Sequence, residues 1–158
     1  MDLRSVRRSI IEPALLLLPA KMESPQAIVM LLAIGLQESH FEYRRQLGNG
    51  PARSYWQMER GGGVHGVLKH PVSAKIAANI CAMHGVEPND QSVWEAIERD
   101  DVLAACMARL LLYTDPLRLP ALGDHSGAWD LYLRVWRPGK PRPADWPENY
   151  AAALEAVQ

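Results

Sequence analysis

The feature that most constrains this chain is an uninterrupted apolar run, Ala27–Leu36, which follows Ser24-Pro25. Serine can accept a hydrogen bond from a first-turn amide and proline suits the first helical position, so a helix is predicted to begin here. Because the run is apolar on every face, we expect the helix to be buried all round. Gly35 within it predicts the close approach of another backbone. The run is too short for the roughly 20 residues that a membrane-spanning helix needs.

Helix start and stop signals recur along most of the remaining chain, which indicates a mainly α fold. Asparagine, aspartate and serine favour helix starts, whereas glycine and proline favour helix ends. The predicted helices cover 3–20, with a possible break at Pro13; 72–84; a short helix opened by the capping box Ser92-x-x-Glu95; one from Asp100 or Asp101 to Tyr113; one from Asp124 to about Trp136; and a last one opened by Asp145-Trp146-Pro147-Glu148.

Residues 44–71 are rich in glycine and favour loops with a short hairpin over a long helix. The predicted class is therefore mainly α with a small irregular or β insertion around residues 50–68. No internal repeat or linker divides the chain, so residues 1–158 are expected to form a single domain. Residues 1–22 are predicted to be an N-terminal helical extension of it.

Three further features bear on the class of protein: the charge balance, the stretch near the N-terminus and the two cysteines. Seventeen basic and eighteen acidic residues give a net charge of −1, whereas nucleic-acid-binding domains are usually clearly basic. We therefore expect no nucleic-acid partner. Glu12 and Pro13 interrupt the apolar stretch near the N-terminus, which argues against a signal peptide. Cys81 and Cys106 are expected to be small buried side chains, although a disulfide between them stays possible.

Neither a metal nor a cofactor is expected. His65 and His70 flank "GVLK", but no third ligand follows at metal-binding spacing. The glycine run 61–63 lacks the Gly-Lys-Ser/Thr sequence that a phosphate-binding loop requires.

Glu38 is the residue with the clearest chemical potential, because it follows a helix that is expected to be buried. Burial disfavours the charged form of a carboxyl and so raises its pKa. A glutamate in that condition can act as a general acid near neutral pH. The alternative is a glutamate that points into solvent at the end of a helix.

The segments "AIGLQESHFEYRRQ" and "GPARSYWQME" together resemble the lysozyme-like superfamily, most closely soluble lytic transglycosylases and phage-encoded peptidoglycan-degrading domains. In that family a Glu-Ser pair ends a core helix, and a Gly-x-x-Gln motif follows in the smaller lobe. The resemblance covers roughly residues 25–150 and implies a two-lobed, α-rich domain. Here Ser54-Tyr55-Trp56 replaces the small residues before the family glutamine.

The resemblance implies a role for several residues. Glu38 corresponds to the family's catalytic acid, Ser39 to the serine that helps to orient the site, and Gln57 to the glutamine that lines the cleft. A third motif, usually Tyr-Asn-x-Gly, is weaker in "AWDLYLRVWRPGKP". Tyr132 or Trp136 supplies its aromatic residue, with no asparagine beside either one.

Glycoside hydrolases usually place a second carboxylate near the acid, whereas lytic transglycosylases use one acid twice. Glu59 and Glu42 are the candidates for a second carboxylate, and Glu42 would share a face with Glu38 if the helix continued. The sequence therefore leaves hydrolysis and transglycosylation both open. Sugar rings stack on aromatic faces, and we expect Tyr55 or Trp56 to lie in the cleft for this purpose.

The resemblance implies cleavage of the β-1,4 bond between N-acetylmuramic acid and N-acetylglucosamine in peptidoglycan. The expected source is a phage or prophage, with the protein made in the cytoplasm and acting in the periplasm or cell wall. It would act as an endolysin or beside other virion proteins. The alternatives are an inactive virion or tail protein that keeps the fold, and a plain helical interaction module. A salt bridge from Glu38 to Arg44 or Arg53, with no cleft, would favour the inactive protein.

Overall fold

The computed structural model describes all 158 residues, Met1–Gln158, and is mainly helical, as the sequence predicts. Isolated bridges that join Arg45 to Arg53 and Arg53 to Met58 are its β structure. The α-helices are α1 (Leu3–Val6), α2 (Glu12–Leu17), α3 (Pro25–Ser39), α4 (His65–Lys69), α5 (Ala74–Met83), α6 (Asp90–Ile97), α7 (Asp101–Tyr113), α8 (His125–Trp136) and α9 (Trp146–Glu155).

The first helical segment passes Pro13 without a break. A π-helical turn over Arg7–Ile11 joins α1 to α2, and the backbone stays helical through Glu12. Pro13 is in the first turn of α2, where a residue without an N–H group is tolerated. The possible break at Pro13 is therefore absent.

Helix α3 begins as predicted and is buried along almost its whole length. Ser24 caps it by accepting a 3.1 Å hydrogen bond from the amide of Ala27, and Pro25 is its first residue. Gly35 is approached by the Phe41 ring, which a Cβ atom at position 35 would overlap. The expectation of a close backbone was wrong, because an aromatic side chain fills this space.

The caps of the later helices are partly as predicted. Asp100 and Asp124 cap α7 and α8 with their side chains, which confirms both starts. The predicted capping box is wrong: Asn89 caps α6 by accepting a 2.8 Å hydrogen bond from the amide of Ser92. Helix α8 ends at Trp136, and the next residue, Arg137, adopts the left-handed conformation directly before Pro138.

The insertion predicted around residues 50–68 is irregular only in its first part. Residues 40–59 form turns and the two isolated bridges, without a regular hairpin. From Arg60 the chain is helical again, first as a π-helical turn over Arg60–Val64 and then as α4. Gly62 has non-helical backbone angles, φ −101° and ψ −107°, so the chain is kinked within this turn. Gly63 leaves little room for a side chain beside Leu111 and Met58.

Helix α3 lies at the centre of the molecule and packs against α9 and α7. The buried apolar side chains form one cluster, which includes residues from the 1–22 segment such as Ile11 and Leu15. Cys81 and Cys106 are both buried and unpaired. Helices that are both long and apolar enough to span a bilayer are absent from the structure.

Candidate active site

The C-terminal end of α3 presents Glu38 to a groove because the helix stops immediately afterwards. His40 and Phe41 adopt positive φ values of 53° and 55°, which turn the chain away from the helix axis. Ser39 is buried, and its Oγ atom donates a 2.7 Å hydrogen bond to the carbonyl of Tyr55. The same oxygen accepts from the amide of Phe41 at 3.1 Å. Ser39 thus fixes the turn that follows Glu38.

The Glu38 carboxyl is held by Tyr132 on α8. The tyrosine hydroxyl donates a 2.6 Å hydrogen bond to Oε1 of Glu38. Burial raises the pKa of Glu38, although the Tyr132 hydrogen bond and the charge of Arg142 both act to lower it. No salt bridge neutralises this carboxyl, since Arg44 pairs with Asp101 and Arg53 pairs with Glu98.

Tyr132 is suited to remain a hydrogen-bond donor at every physiological pH. Its ring is almost fully buried and stacks on Trp146 with the two ring planes 10° apart. Burial and the neighbouring Glu38 charge raise the pKa of the Tyr132 hydroxyl well above its usual value. The hydroxyl therefore stays neutral. It bonds to Oε1 of Glu38, and Oε2 of Glu38 has no hydrogen-bond partner in the protein.

Glu38 opens into a cavity of about 560 Å³ between the end of α3, the irregular segment and the residues that follow α8. A second cavity of about 710 Å³ continues it. The two share Gln57, Glu59, Trp136 and Arg137, so they form one groove. We call it the Glu38 groove.

Tyr55 and Trp56 correct the sequence prediction, because neither side chain lines the Glu38 groove. Both are buried, and Trp56 Nε1 donates a 2.8 Å hydrogen bond to the carbonyl of Leu31 on α3. The two rings pack edge-to-face with Phe41. Their polar, glycine-rich sequence context gave no sign that they anchor the irregular segment to the core.

The remaining predicted residues divide between the groove and its surroundings. Gln57 lines both cavities with a positive φ of 51°, and its Nε2 donates to the carbonyl of Ser54. Glu59 is exposed and also lines both cavities. Glu42 is exposed and does not line the groove, because α3 ends before it. Ser39 is buried behind the groove and does not line it.

Three further residues contribute to the groove, of which the sequence had offered only Trp136, as an alternative aromatic residue of the third motif. Tyr43 lines the groove and donates a 2.9 Å hydrogen bond to the carbonyl of Glu38. Trp136, an alternative for the weak third motif, lines both cavities and donates through Nε1 to the carbonyl of Trp56. Arg142 also lines the groove, and its guanidinium hydrogen-bonds the carbonyl of Gln37. The contacts of Trp136 and Arg142 join segments distant in sequence, whereas that of Tyr43 spans only five residues.

A buried polar clamp joins the residues after α8 to the end of α3. Gln37 is buried, and its Nε2 donates a 2.9 Å hydrogen bond to the carbonyl of Arg142. Its Oε1 accepts a 2.9 Å hydrogen bond from Asn149 on α9, which is also buried. The clamp holds the basic segment 137–142 beside Glu38.

The basic residues near the end of α8 line the groove, and only some of them are paired with an acidic residue. Arg134 pairs with Asp115, and Arg142 lies 3.5 Å from Asp145. Arg137 and Lys140 line the cavity around Glu38 without an ion-pair partner. No group of three or more histidine, cysteine, aspartate or glutamate side chains is arranged to hold a metal ion.

In comparisons with protein-family models, curated proteins and solved structures, none matches this chain.

Proposed function

We propose that this protein cleaves the β-1,4 bond between N-acetylmuramic acid and N-acetylglucosamine in bacterial peptidoglycan, with Glu38 as general acid and base. The observation that carries the proposal is the state of Glu38. Its carboxyl is enclosed enough to raise its pKa, is held at Oε1 by Tyr132, and faces a groove. This is the arrangement that a proton donor to a glycosidic oxygen needs.

The proton to be donated belongs on Oε2 of Glu38. Tyr132 donates to Oε1, so the other oxygen is the one available to a substrate. As the glycosidic bond breaks, Oε2 gives its proton to the leaving oxygen, and the Tyr132 hydrogen bond then stabilises the resulting carboxylate. The carboxylate next accepts a proton from the attacking group, which is water in hydrolysis or the muramyl 6-hydroxyl in transglycosylation.

The walls of the Glu38 groove suit an anionic glycan with peptide substituents. Trp136 offers an aromatic ring to a sugar, and Gln57 offers amide groups to its hydroxyl and acetamido groups. Arg137 and Lys140 have no acidic partner and could attract the carboxylates of the stem peptides. We propose that the groove separates the two lobes of a lysozyme-like domain.

The position of Glu59 bears on the type of product. Glu59 is the one carboxylate besides Glu38 among the residues that line the cavity around Glu38. It would be the second carboxylate of a hydrolase, whereas a transglycosylase would need Glu38 alone. If the enzyme is a hydrolase, Glu59→Gln should therefore abolish release of reducing-end products. If it is a transglycosylase, Glu59→Gln should leave release of anhydro products nearly unchanged.

The test is digestion of purified peptidoglycan by the wild type and by Glu38→Gln, with mass spectrometry of the soluble products. Release of anhydromuropeptides by the wild type alone supports a lytic transglycosylase, and release of reducing-end muropeptides supports a hydrolase. If the folded wild type releases nothing from several wall types, the proposal fails and the inactive virion or tail protein is favoured.

We further propose that the protein is encoded by a phage or prophage and acts in the periplasm or cell wall. It would arrive there after release from the cytoplasm or as a virion component beside other virion proteins. Fractionation of infected or induced cells and of purified particles tests this proposal. Cells are fractionated with lysis blocked, and the particles are washed before they are assayed. Protein recovered only from the host cytoplasm, and not from the washed particles, would contradict the virion role.

A further inference from the structure

Arg109 on α7 is a buried cation without a carboxylate partner. Its exposure is 5%, and Nε donates a 2.9 Å hydrogen bond to the carbonyl of Met22. The terminal nitrogens Nη1 and Nη2 donate to no protein acceptor, and both keep some accessibility to solvent. Burial lowers the pKa of Arg109 to about 10. A largely buried charge is costly when it is not neutralised, and an anion bound at the two free terminal nitrogens would offset that cost.

The Arg109 side chain lines an open cavity of about 740 Å³ that is rich in positive charge. Lys21 and Arg118 also line it, and Lys21 Nζ lies 5.5 Å from the centre of the Tyr113 ring. Asp115 is the one carboxylate in the lining. It is held by Arg134 through hydrogen bonds of 3.1 and 3.2 Å, so it does not neutralise Arg109.

The N-terminal end of α3 faces the same cavity. Ser24 and Gln26 both line it, and the backbone N–H of Gln26 makes no hydrogen bond within the protein. Unpaired amides and the helix dipole make the start of a fifteen-residue helix favourable for an anion. The amide of Gln26 and the guanidinium of Arg109 therefore supply two independent kinds of donor to one space.

We propose that this cavity, which we call the Arg109 pocket, is a binding site for an oxyanion: a carboxylate or phosphate group, either free or carried by a larger molecule. Arg109 would be its buried donor, with Lys21, Arg118 and the start of α3 around it. The Arg109 pocket shares His70, Thr114, Asp115 and Pro116 with the far end of the Glu38 groove. The site does not depend on glycan cleavage and would stand if Glu38 proved inert.

The test is an NMR titration of the ¹⁵N-labelled full chain with inorganic phosphate and, separately, with succinate, each compared with sodium chloride at equal ionic strength. We expect saturable shifts of the amides of Gln26, Arg109 and Thr114. The anion that binds more tightly distinguishes a phosphate ligand from a carboxylate ligand. Shifts that chloride reproduces, or that do not saturate with either anion, would overturn the proposal.

Arg109→Met tests the central donor, because it keeps the length of the side chain and removes the charge. The affinity for the preferred anion should fall about tenfold or more, since a charge-assisted hydrogen bond is lost. Arg8→Met, which changes an exposed arginine outside the pocket, should leave the affinity unchanged. Lys21→Met alters an exposed residue of the pocket without touching the core and should also weaken binding. Wild-type affinity in both Arg109→Met and Lys21→Met would contradict the proposal.

Discussion

The hydroxyl of Tyr132 on α8 donates a 2.6 Å hydrogen bond to Oε1 of Glu38 at the end of α3. These residues are 94 positions apart in the chain. The contact joins the strongest sequence motif to the weakest one, because the aromatic residue of the poorly matched third motif holds the proposed catalytic acid. It also opposes the effect of burial on the pKa of Glu38.

The first prediction concerns Tyr132→Phe. The hydroxyl stabilises the charged carboxylate, so its removal should raise the pKa of Glu38 further. The high-pH limb of the activity profile should therefore move to higher pH. The rate at the optimum should fall about tenfold or more, since a hydrogen bond to a charged group is lost. The measurement is the rate of peptidoglycan solubilisation as a function of pH.

Tyr43→Phe is the matched control for that profile. Its hydroxyl donates to the main-chain carbonyl of Glu38 and not to the carboxyl. The high-pH limb should therefore stay where it is in the wild type. An unmoved limb in Tyr132→Phe, or an equal movement in both variants, would show that the Tyr132 hydrogen bond does not set the acidity of Glu38.

The second prediction concerns stability. Because burial raises the pKa of Glu38, the folded protein keeps this proton to higher pH than the unfolded chain, where the ordinary value is 4.5. Above the folded pKa the ionised carboxylate lowers the free energy of unfolding, and below about 4.5 both states are protonated. Glu38→Gln should thus be more stable than the wild type at pH 8. The difference should shrink with falling pH and vanish in acid.

Urea unfolding of both proteins across this pH range measures the difference directly. Glu42→Gln provides the comparison, because Glu42 is exposed beside the same turn. It should show no such pH-dependent gain. A Glu38→Gln variant that is less stable than the wild type at pH 8 would mean that the folded protein favours the ionised carboxylate.

A third prediction separates the observed cap of α6 from the capping box that the sequence suggested. Asn89→Ala should lower the free energy of unfolding by about 1 kcal/mol, because the side-chain acceptor for the amide of Ser92 is lost. Ser92→Ala keeps that amide and should cost less. Thermal and urea unfolding of both variants provide the measurement. A larger loss of unfolding free energy in Ser92→Ala than in Asn89→Ala would show that Ser92 is the capping residue.

The fourth prediction concerns the packing behind Glu38. Gly35→Ala places a Cβ atom where the Phe41 ring lies, so the free energy of unfolding should fall by about 1–3 kcal/mol. Gly61→Ala is the control, since a Cβ atom at that position meets no neighbour within 4 Å. Equal stability of the two variants in urea unfolding would mean that the Phe41 ring can move aside at little cost.

The sequence was most informative where local chemistry decides the structure. Ser24-Pro25, Asp100 and Asp124 predicted the starts of their helices, because a capping side chain acts within three residues. The unbroken apolar run predicted that α3 is buried, because a helix that is apolar on every face has no side to turn to water. Glu38 could be singled out because it follows that run directly.

Contacts between distant segments were beyond that reasoning. Tyr55 and Trp56 were expected in the groove, but long-range packing against Phe41 and Leu31 places both in the core. Arg109 gave no sequence signal, since its lack of a counter-charge depends on where α7 meets the start of α3. The glycine-rich stretch after Arg60 forms a π-helical turn that is kinked at Gly62, which the glycine content alone did not indicate.

The central claim, that Glu38 is the catalytic acid, is tested most directly by measuring release of soluble fragments from purified peptidoglycan by the wild type, Glu38→Gln and Glu42→Gln. All three should fold, because each change replaces a carboxyl with an amide of similar size. We predict that Glu38→Gln loses about 100-fold or more of the rate, as expected for the loss of a general acid. Glu42→Gln should retain the wild-type rate. Comparable rates for Glu38→Gln and the wild type would contradict the account.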